Sequence, residues 1–265
     1  MDRQAAFHTI AGMKPETYTL HDRIEREHWW FCGRRAILQE IARSVCPPAA
    51  GKRLLDIGCG TGANLAAWAT EYAVTGIDIS EDAVRMARER YPALDIRRVT
   101  EAAEREALAA KSDLVLLCDV LEHVEDEKAL LAGIIHAMRP GANCIVTVPA
   151  DMRLWSPHDD AFGHLRRYDM ASFRPLWADL PVRVRVCSFF NARLFPVIYA
   201  IRRLTRVLGM SVGNDGTDLA IPAPWMNRYL TAVFSGESRR LLRVLRNEAT
   251  GYCRGVSLMA VLERS

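Results

Sequence analysis

Three glycines stand at alternate positions in Asp56-Ile57-Gly58-Cys59-Gly60-Thr61-Gly62, directly behind the apolar pair Leu54-Leu55. Discarding side chains where a strand should turn into a helix lets a ligand come within touching distance of backbone N–H groups. Asp56, two residues ahead of the first glycine, makes little sense beside a pyrophosphate and good sense beside a positive charge. A second acid, Asp78, closes the next strand-like run, a position suited to ribose hydroxyls. Further on, His123 in "LEHV" and His158 and His164 in "SPHDDAFGHLRRY" can accept a proton near neutral pH. Asp159 or Asp160 could orient His158, whereas His123 and His164 also suit structural roles as ties between a loop and its neighbours. The spacings of these groups match no standard metal-ligand pattern, so no metal is expected.

Such residues need a scaffold that gathers them, and the chain alternates strand-like with helical patterns. "KRLLDIG", "AVTGIDIS", "LDIRRVT", "DLVLLC" and "ANCIVTVP" read as strands. Between them, "GANLAAWATEY", "SEDAVRMARERY" (capped by Ser80) and "DEKALLAGIIHAM" (stopped by Pro140-Gly141) read as helices. This alternation predicts an α/β, doubly wound, mostly parallel sheet whose ligand lies at the carboxyl ends of the strands. Residues 22–45 look helical and end at Pro47-Pro48. After residue 150 a polar, aromatic loop leads to a helix at "ASFRPLWADL" and a strand at "PVRVRVCSFF". A final strand lies at "VSLMAVLER", and about sixty residues intervene, with helical patterns at 192–208 and 225–247 around a loop at 209–224.

The stretch from Asp56 to Gly62 resembles the D-x-G-x-G-x-G signature of class I S-adenosylmethionine-dependent methyltransferases. Gly58, Gly60 and Ala63 also fit the looser dinucleotide pattern, so the acid is the discriminating feature: S-adenosylmethionine carries a positive amino group and sulfonium. The family's order continues through the chain. Asp78 and Ile79 fall where the family holds the ribose, and Glu101-Ala102 where an acid reads the adenine amino group. Asp119, Val120 and Leu121 fall in the segment after the fourth strand that lines the cofactor site. The resemblance covers about 50 to 190 and the final strand. It implies a seven-stranded Rossmann-like sheet with an antiparallel last strand, and S-adenosylmethionine as cofactor. The division it suggests is an N-terminal helical lid at 1–50, a cofactor-binding core at 51–190, a helical cap at 191–252 and the last core strand at 253–265.

The implied chemistry is displacement at an already activated methyl group, in which holding the acceptor in line carries much of the rate. A histidine base favours an oxygen acceptor on a small or lipid-like molecule; nitrogen and carbon acceptors stay open. Two other classes compete: a subunit that binds the cofactor without catalysis, and an NAD-dependent oxidoreductase.

"EREHWWFCGRR" allows two readings, because Trp29 and Trp30 cannot share one helix face. Either the helix crosses the sheet's open end and buries one indole, or Trp30 and Phe31 close over the cofactor while Arg34 or Arg35 takes its carboxylate. The cap is also ambiguous. Leu194, Val197, Ile198, Ile201, Leu204, Thr205 and Leu208 share a stripe beside Arg193, Arg202, Arg203 and Arg206. Such a helix could pack on the core or on a second copy as a homodimer, touch an anionic membrane through 191–210, or hold a polar anion.

Composition narrows the field. Half the residues are hydrophobic, and the formal charge of +3, with no appended binding domain and no N-P-P-Y motif, disfavours nucleic acid. Seven cysteines without a C-x-x-C pair suit free thiols. The first residues lack a signal-peptide apolar core, and no apolar run reaches the ~18 residues that span a bilayer. A cytoplasmic protein is expected.

Overall fold

The structure is a computed structural model that describes residues 24–208 and 220–265. Its strands are β1 (Arg53–Ile57), β2 (Ala73–Asp78), β3 (Asp95–Arg98), β4 (Leu114–Cys118), β5 (Asn143–Pro149), β6 (Val182–Phe190) and β7 (Ser257–Arg264). They form one sheet in the order β3-β2-β1-β4-β5-β7-β6, with β7 antiparallel to both its neighbours. This is the expected seven-stranded, mostly parallel, doubly wound architecture. The central β4 and β5 are buried along their whole length, so their sequences read as continuous apolar runs. Ile57 pairs with both Ile77 and Leu117, which aligns the carboxyl ends of β1, β2 and β4. Gly58, Asp78 and Asp119 therefore emerge side by side.

Helices cover both faces: α1 (Trp29–Val45), α2 (Ala63–Trp68), α3 (Glu81–Arg90), α4 (Ala102–Ala109) and α5 (Glu127–Ala137). Alternate strand residues feed two cores. Leu55, Val115 and Val146 pack with Leu131 and Ile134 of α5, whereas Leu54, Leu116 and Ile145 pack with Ile37, Leu38 and Ile41 of α1. The Ser80 side chain accepts from the Ala83 N–H and starts α3, and Asp126 does the same for α5 through Ala129. The expected helix over 22–45 breaks at His28, whose ring accepts from the Trp30 N–H and caps α1. Residues 1–23 of the expected lid lie outside the described residues. The helix α4 is an element that the strand-by-strand reading leaves out.

The expected loop after β5 is partly helical, with α6 (Pro157–Ala161), α7 (Met170–Phe173) and 3-10 turns at Met152–Leu154 and Arg174–Trp177. Among the described residues the cap holds three helices, α8 (Phe195–Leu208), α9 (Pro224–Ser235) and α10 (Ser238–Leu245). The single pattern at 225–247 is thus two helices, broken at Gly236-Glu237, where the buried Glu237 carboxylate accepts the Arg193 N–H at 2.8 Å. Of the expected loop at 209–224, residues 209–219 lie outside the described residues. α9 and α10 pack on the core. Phe234 is fully buried, stacks on Phe190 with centroids 5.8 Å apart, and lies so close to Gly33 that a Cβ there would come within 2.6 Å of its ring. Asn227 ties α9 to the start of α1, accepting from the Trp29 N–H at 2.8 Å and donating to the Glu27 carbonyl at 2.6 Å.

All seven cysteines are free. Among the described residues no helix is long and apolar enough to cross a membrane.

Candidate active site

A cavity of about 610 Å³ opens at the carboxyl ends of β1, β2 and β4, between α1, the turn after β5 and the cap. Two kinds of chemistry meet in it: a carboxylate-rich glycine turn at one end and a histidine cluster at the other.

The glycine turn needs backbone that only glycine adopts easily. Gly58 has φ of 76° and a Cβ there would lie 2.6 Å from Val120 Cγ2. Gly60 has φ of 54°, and its N–H donates to Asp78 Oδ2 at 2.9 Å while Ser80 N–H donates to Oδ1 at 2.9 Å. Burial raises the Asp78 carboxyl above its ordinary value against these hydrogen bonds. Asp56 is buried behind the turn; burial foremost, with the nearby Asp78 and Glu25 adding to it and Arg34 opposing, pushes its carboxyl to about 7. One Asp56 oxygen, Oδ2, has no hydrogen-bond partner. Glu25, which no sequence motif announces, reaches in from before α1 and accepts from Thr61 Oγ1 at 2.5 Å. Three carboxylates thus crowd the turn opposite one buried arginine, Arg34.

Trp29 and Trp30 diverge, as helix geometry demands. Trp29 packs edge-on against Phe234, with centroids 6.1 Å apart, and Trp30 faces the Arg34 guanidinium, 4.6 Å from its ring centroid. Arg34 forms an ion pair with Asp119, whose φ is 57°, and burial lowers its pKa. Trp30, Phe31, Arg34, Cys59, Ile79, Asp119 and Val120 line the cavity with Gly58, Gly60 and Asp78.

Other expected residues lie elsewhere. Arg35 is turned to the Ala63 and Glu25 carbonyls. Gly62, with φ of 83°, caps α2 and faces Tyr91 and Ala87. Glu101 and Ala102 are exposed and do not reach the cavity, because Glu101 begins α4 with its side chain in solvent. Val99 and Arg105 from the same stretch line it instead.

The histidine end corrects one pairing. Asp159 orients His164 and not His158: Asp159 Oδ1 lies 2.8 Å from His164 Nδ1. Burial opposes ionisation of Asp159, but hydrogen bonds from His164, Arg167 and the Ser156 N–H hold its carboxyl well below the ordinary value. Arg167 grips both oxygens, at 2.8 and 3.0 Å, and donates to the Ala150 carbonyl. An ionised Asp159 can only accept, so His164 Nδ1 carries the proton of that bond and the ring is held with Nε2 as its other nitrogen. His158 packs on Phe162, its Nδ1 lacks a partner, and burial lowers its pKa to about 3. Asp160 accepts from Trp155 Nε1. His123 lies edge-on to His164 with centroids 4.8 Å apart, and burial lowers its pKa to about 4.

Glu122, likewise unannounced by any motif, is fully buried, and neither of its carboxylate oxygens has a partner. Burial foremost raises its pKa to about 8. Glu122, His123 and His164 each offer a donor atom, all within 4.8 Å of one another, and could hold a metal ion. The group joins segments some forty residues apart, which is why no spacing announces it.

Known proteins resemble this chain in sequence and in fold. Residues 55–144 match the methyltransferase domain family. The chain is 32% identical over 128 residues to a Mycolicibacterium smegmatis protein assigned as a probable S-adenosylmethionine-dependent methyltransferase, covering 48% of each chain. It is 35% identical over 103 residues to the ubiquinone biosynthesis O-methyltransferase of Pseudomonas aeruginosa, covering 37% of this chain and 44% of that one. The chain spans about half the length of these curated relatives. Among solved structures, the methyltransferase bound to the Trm112 activator of Haloferax volcanii superposes with a TM-score of 0.54 at 16% identity, over 96% of this chain and 99% of that one. That likeness concerns the fold. Residues 55–144 thus carry a methyltransferase domain, and the family match and the relatives support a class I S-adenosylmethionine-dependent methyltransferase with S-adenosylmethionine as cofactor.

The residues present suit that cofactor. Glu25 and Asp78 line the cavity, Asp56 lies buried directly behind the turn with one oxygen unpartnered, and this local surplus of carboxylates over arginine suits a cationic ligand beside the Gly58–Gly60 backbone.

Proposed function

We propose that the chain transfers the methyl group of S-adenosylmethionine to an oxygen of a small, apolar, lipid-like acceptor. One observation carries this reading: the glycine turn and an oriented His164–Asp159 pair line or support one cavity, whose wall toward α8 and α9 is mostly apolar, with Asn191 and Arg202 among its polar members. When bound, the cofactor supplies a methyl group already activated by its sulfonium, so the chain has to position, shield and deprotonate the acceptor.

The cofactor's ammonium and sulfonium suit Asp56 and Glu25, and its ribose suits Asp78. Trp30 and Phe31 of α1 keep water from that end. Leu194 just ahead of α8, Ile198 and Ile201 within it, Leu230 of α9 and Val256 form the apolar wall against which the acceptor lies. His164 Nε2 accepts the acceptor's hydroxyl proton while Asp159, held by Arg167, steadies the resulting imidazolium. The half-buried His158 and His123, whose pKa values burial lowers, complete the surround.

The test is transfer of a labelled methyl group from S-adenosylmethionine to a polar-lipid and prenol mixture, with the product checked for an alkali-stable ether. A labelled ether that disappears in His164→Asn supports the reading. Label found only on nitrogen or carbon, or an unchanged rate in that variant, contradicts it.

A further inference from the structure

Eight large apolar side chains are exposed among the described residues, and five of them stand on the cap: Val197, Ile201 and Leu204 of α8 and Trp225 and Tyr229 of α9. Their spacings (i, i+4, i+7 and i, i+4) put each set on one helix face. The opposite side of α8 is already used, with Phe195 buried and Arg202 donating to the Leu154 carbonyl. α8 therefore shows apolar residues to the core and to the outside, where a surface helix normally carries polar ones. Leu204 is 59% exposed and Trp225 63%, more open than a packed helix leaves such residues.

Charge says what covers this face. Residues 193–208 and 224–235 contain Arg193, Arg202, Arg203, Arg206 and Arg228 and no acidic residue. Arg203 and Arg228 are exposed, Arg203 next to Leu204 and Arg228 beside Trp225 and Tyr229. A two-fold contact between copies would set this face against itself, arginine facing arginine without an acid in either helix to answer. Apolar residues flanked by arginine, tryptophan and tyrosine match an anionic lipid–water interface. Val197 and Ile201 also line the cavity, so the cavity opens at this face.

We infer that the outward face of α8 and the first turns of α9 dock on an anionic lipid bilayer, with the cavity mouth turned toward it. Docking stands on the surface alone. Only its use, delivering an apolar acceptor from the bilayer into the cavity, rests on the proposed function.

The experiment is co-sedimentation of the full chain with vesicles of phosphatidylglycerol and phosphatidylcholine, against phosphatidylcholine alone, at low and high salt. The triple variant Leu204→Glu, Trp225→Ala, Tyr229→Ala changes no residue that lines the cavity. The wild-type chain is expected to pellet with the anionic vesicles and less so at high salt. The triple variant should pellet at least tenfold less while binding S-adenosylhomocysteine as the wild type does, which shows that it is folded. Arg203→Gln with Arg228→Gln should reduce the salt-sensitive part. Wild type remaining in the supernatant with both vesicles, or equal pelleting of the folded triple variant, overturns the inference. So does a wild-type dimer, seen by light scattering, that the triple variant dissolves, since a second copy then covers the face. Vesicle binding without label transfer would leave docking standing and the proposed acceptor refuted.

Discussion

Asp159 Oδ1 lies 2.8 Å from His164 Nδ1, and Arg167 holds the same carboxylate from the other side. Removing the two partners should have different consequences. His164→Ala is expected to lower kcat by roughly 10²–10⁴, the range for a lost general base, with cofactor affinity unchanged. Asp159→Ala strands a buried Arg167 and should destabilise the fold by about 3–5 kcal/mol. Steady-state kinetics with urea unfolding of both variants separates the two effects. Equal rate losses without a stability difference would count against the assignment.

The Glu122 carboxyl is raised to about 8 by burial. A carboxyl whose folded pKa is raised stabilises the fold below its unfolded pKa, and that contribution is lost as pH rises toward the folded value. Glu122→Gln removes the titration. Its urea midpoint relative to wild type should therefore improve progressively from pH 5 to pH 8. Taking the difference cancels the opposite trend from His123 and His158, whose lowered pKa values disfavour the fold in acid. A constant difference across the range would contradict the buried, unpaired state of Glu122.

Two glycines with nearly equal φ provide a matched test of the turn. Gly51, with φ of 79°, has nothing within 4 Å of where an added methyl would stand, whereas a methyl on Gly58 would meet Val120 at 2.6 Å. Gly51→Ala should cost about 1–2 kcal/mol of stability, the left-handed backbone penalty, and leave cofactor affinity intact. Gly58→Ala should add a loss of affinity of at least tenfold. Calorimetric titration with S-adenosylhomocysteine reads the contrast directly.

Phe234 joins α9 to the helix that carries Trp30 and Arg34. Phe234→Ala should destabilise by about 3–5 kcal/mol and weaken cofactor binding as α1 loosens. Thermal unfolding with and without S-adenosylhomocysteine measures both. An undiminished ligand-induced shift would uncouple the cap from the cofactor site.

Much of the fold is readable along the chain because its signals are local. Ser80 and Asp126 mark helix starts, Leu114 to Cys118 read as a buried strand, and the glycine turn lies within seven residues. What escapes depends on distant contacts. Asp159 follows His158 on α6, and adjacent helical residues point in different directions. Gly163, with φ of 68°, turns the chain back so that His164 meets Asp159 instead. Glu25 meets Thr61 across 36 residues. Glu122 becomes an unpaired buried acid only when the segment around His164 closes over it, with the Leu165 N–H donating to the Glu122 carbonyl. The Glu101 expectation fails for a local reason that family order conceals: the residue begins a helix whose first turn faces solvent.

The central claim is that the carboxylate-rich glycine turn holds S-adenosylmethionine. Calorimetric titration of wild type and Asp78→Ala with S-adenosylmethionine, S-adenosylhomocysteine and NADH tests it most directly. The expected result is saturable binding of both sulfur nucleosides, none of NADH, and at least a tenfold weakening in the variant, about 1.4 kcal/mol or more. Binding of NADH in place of the sulfur nucleosides, or equal affinity in Asp78→Ala, would contradict it.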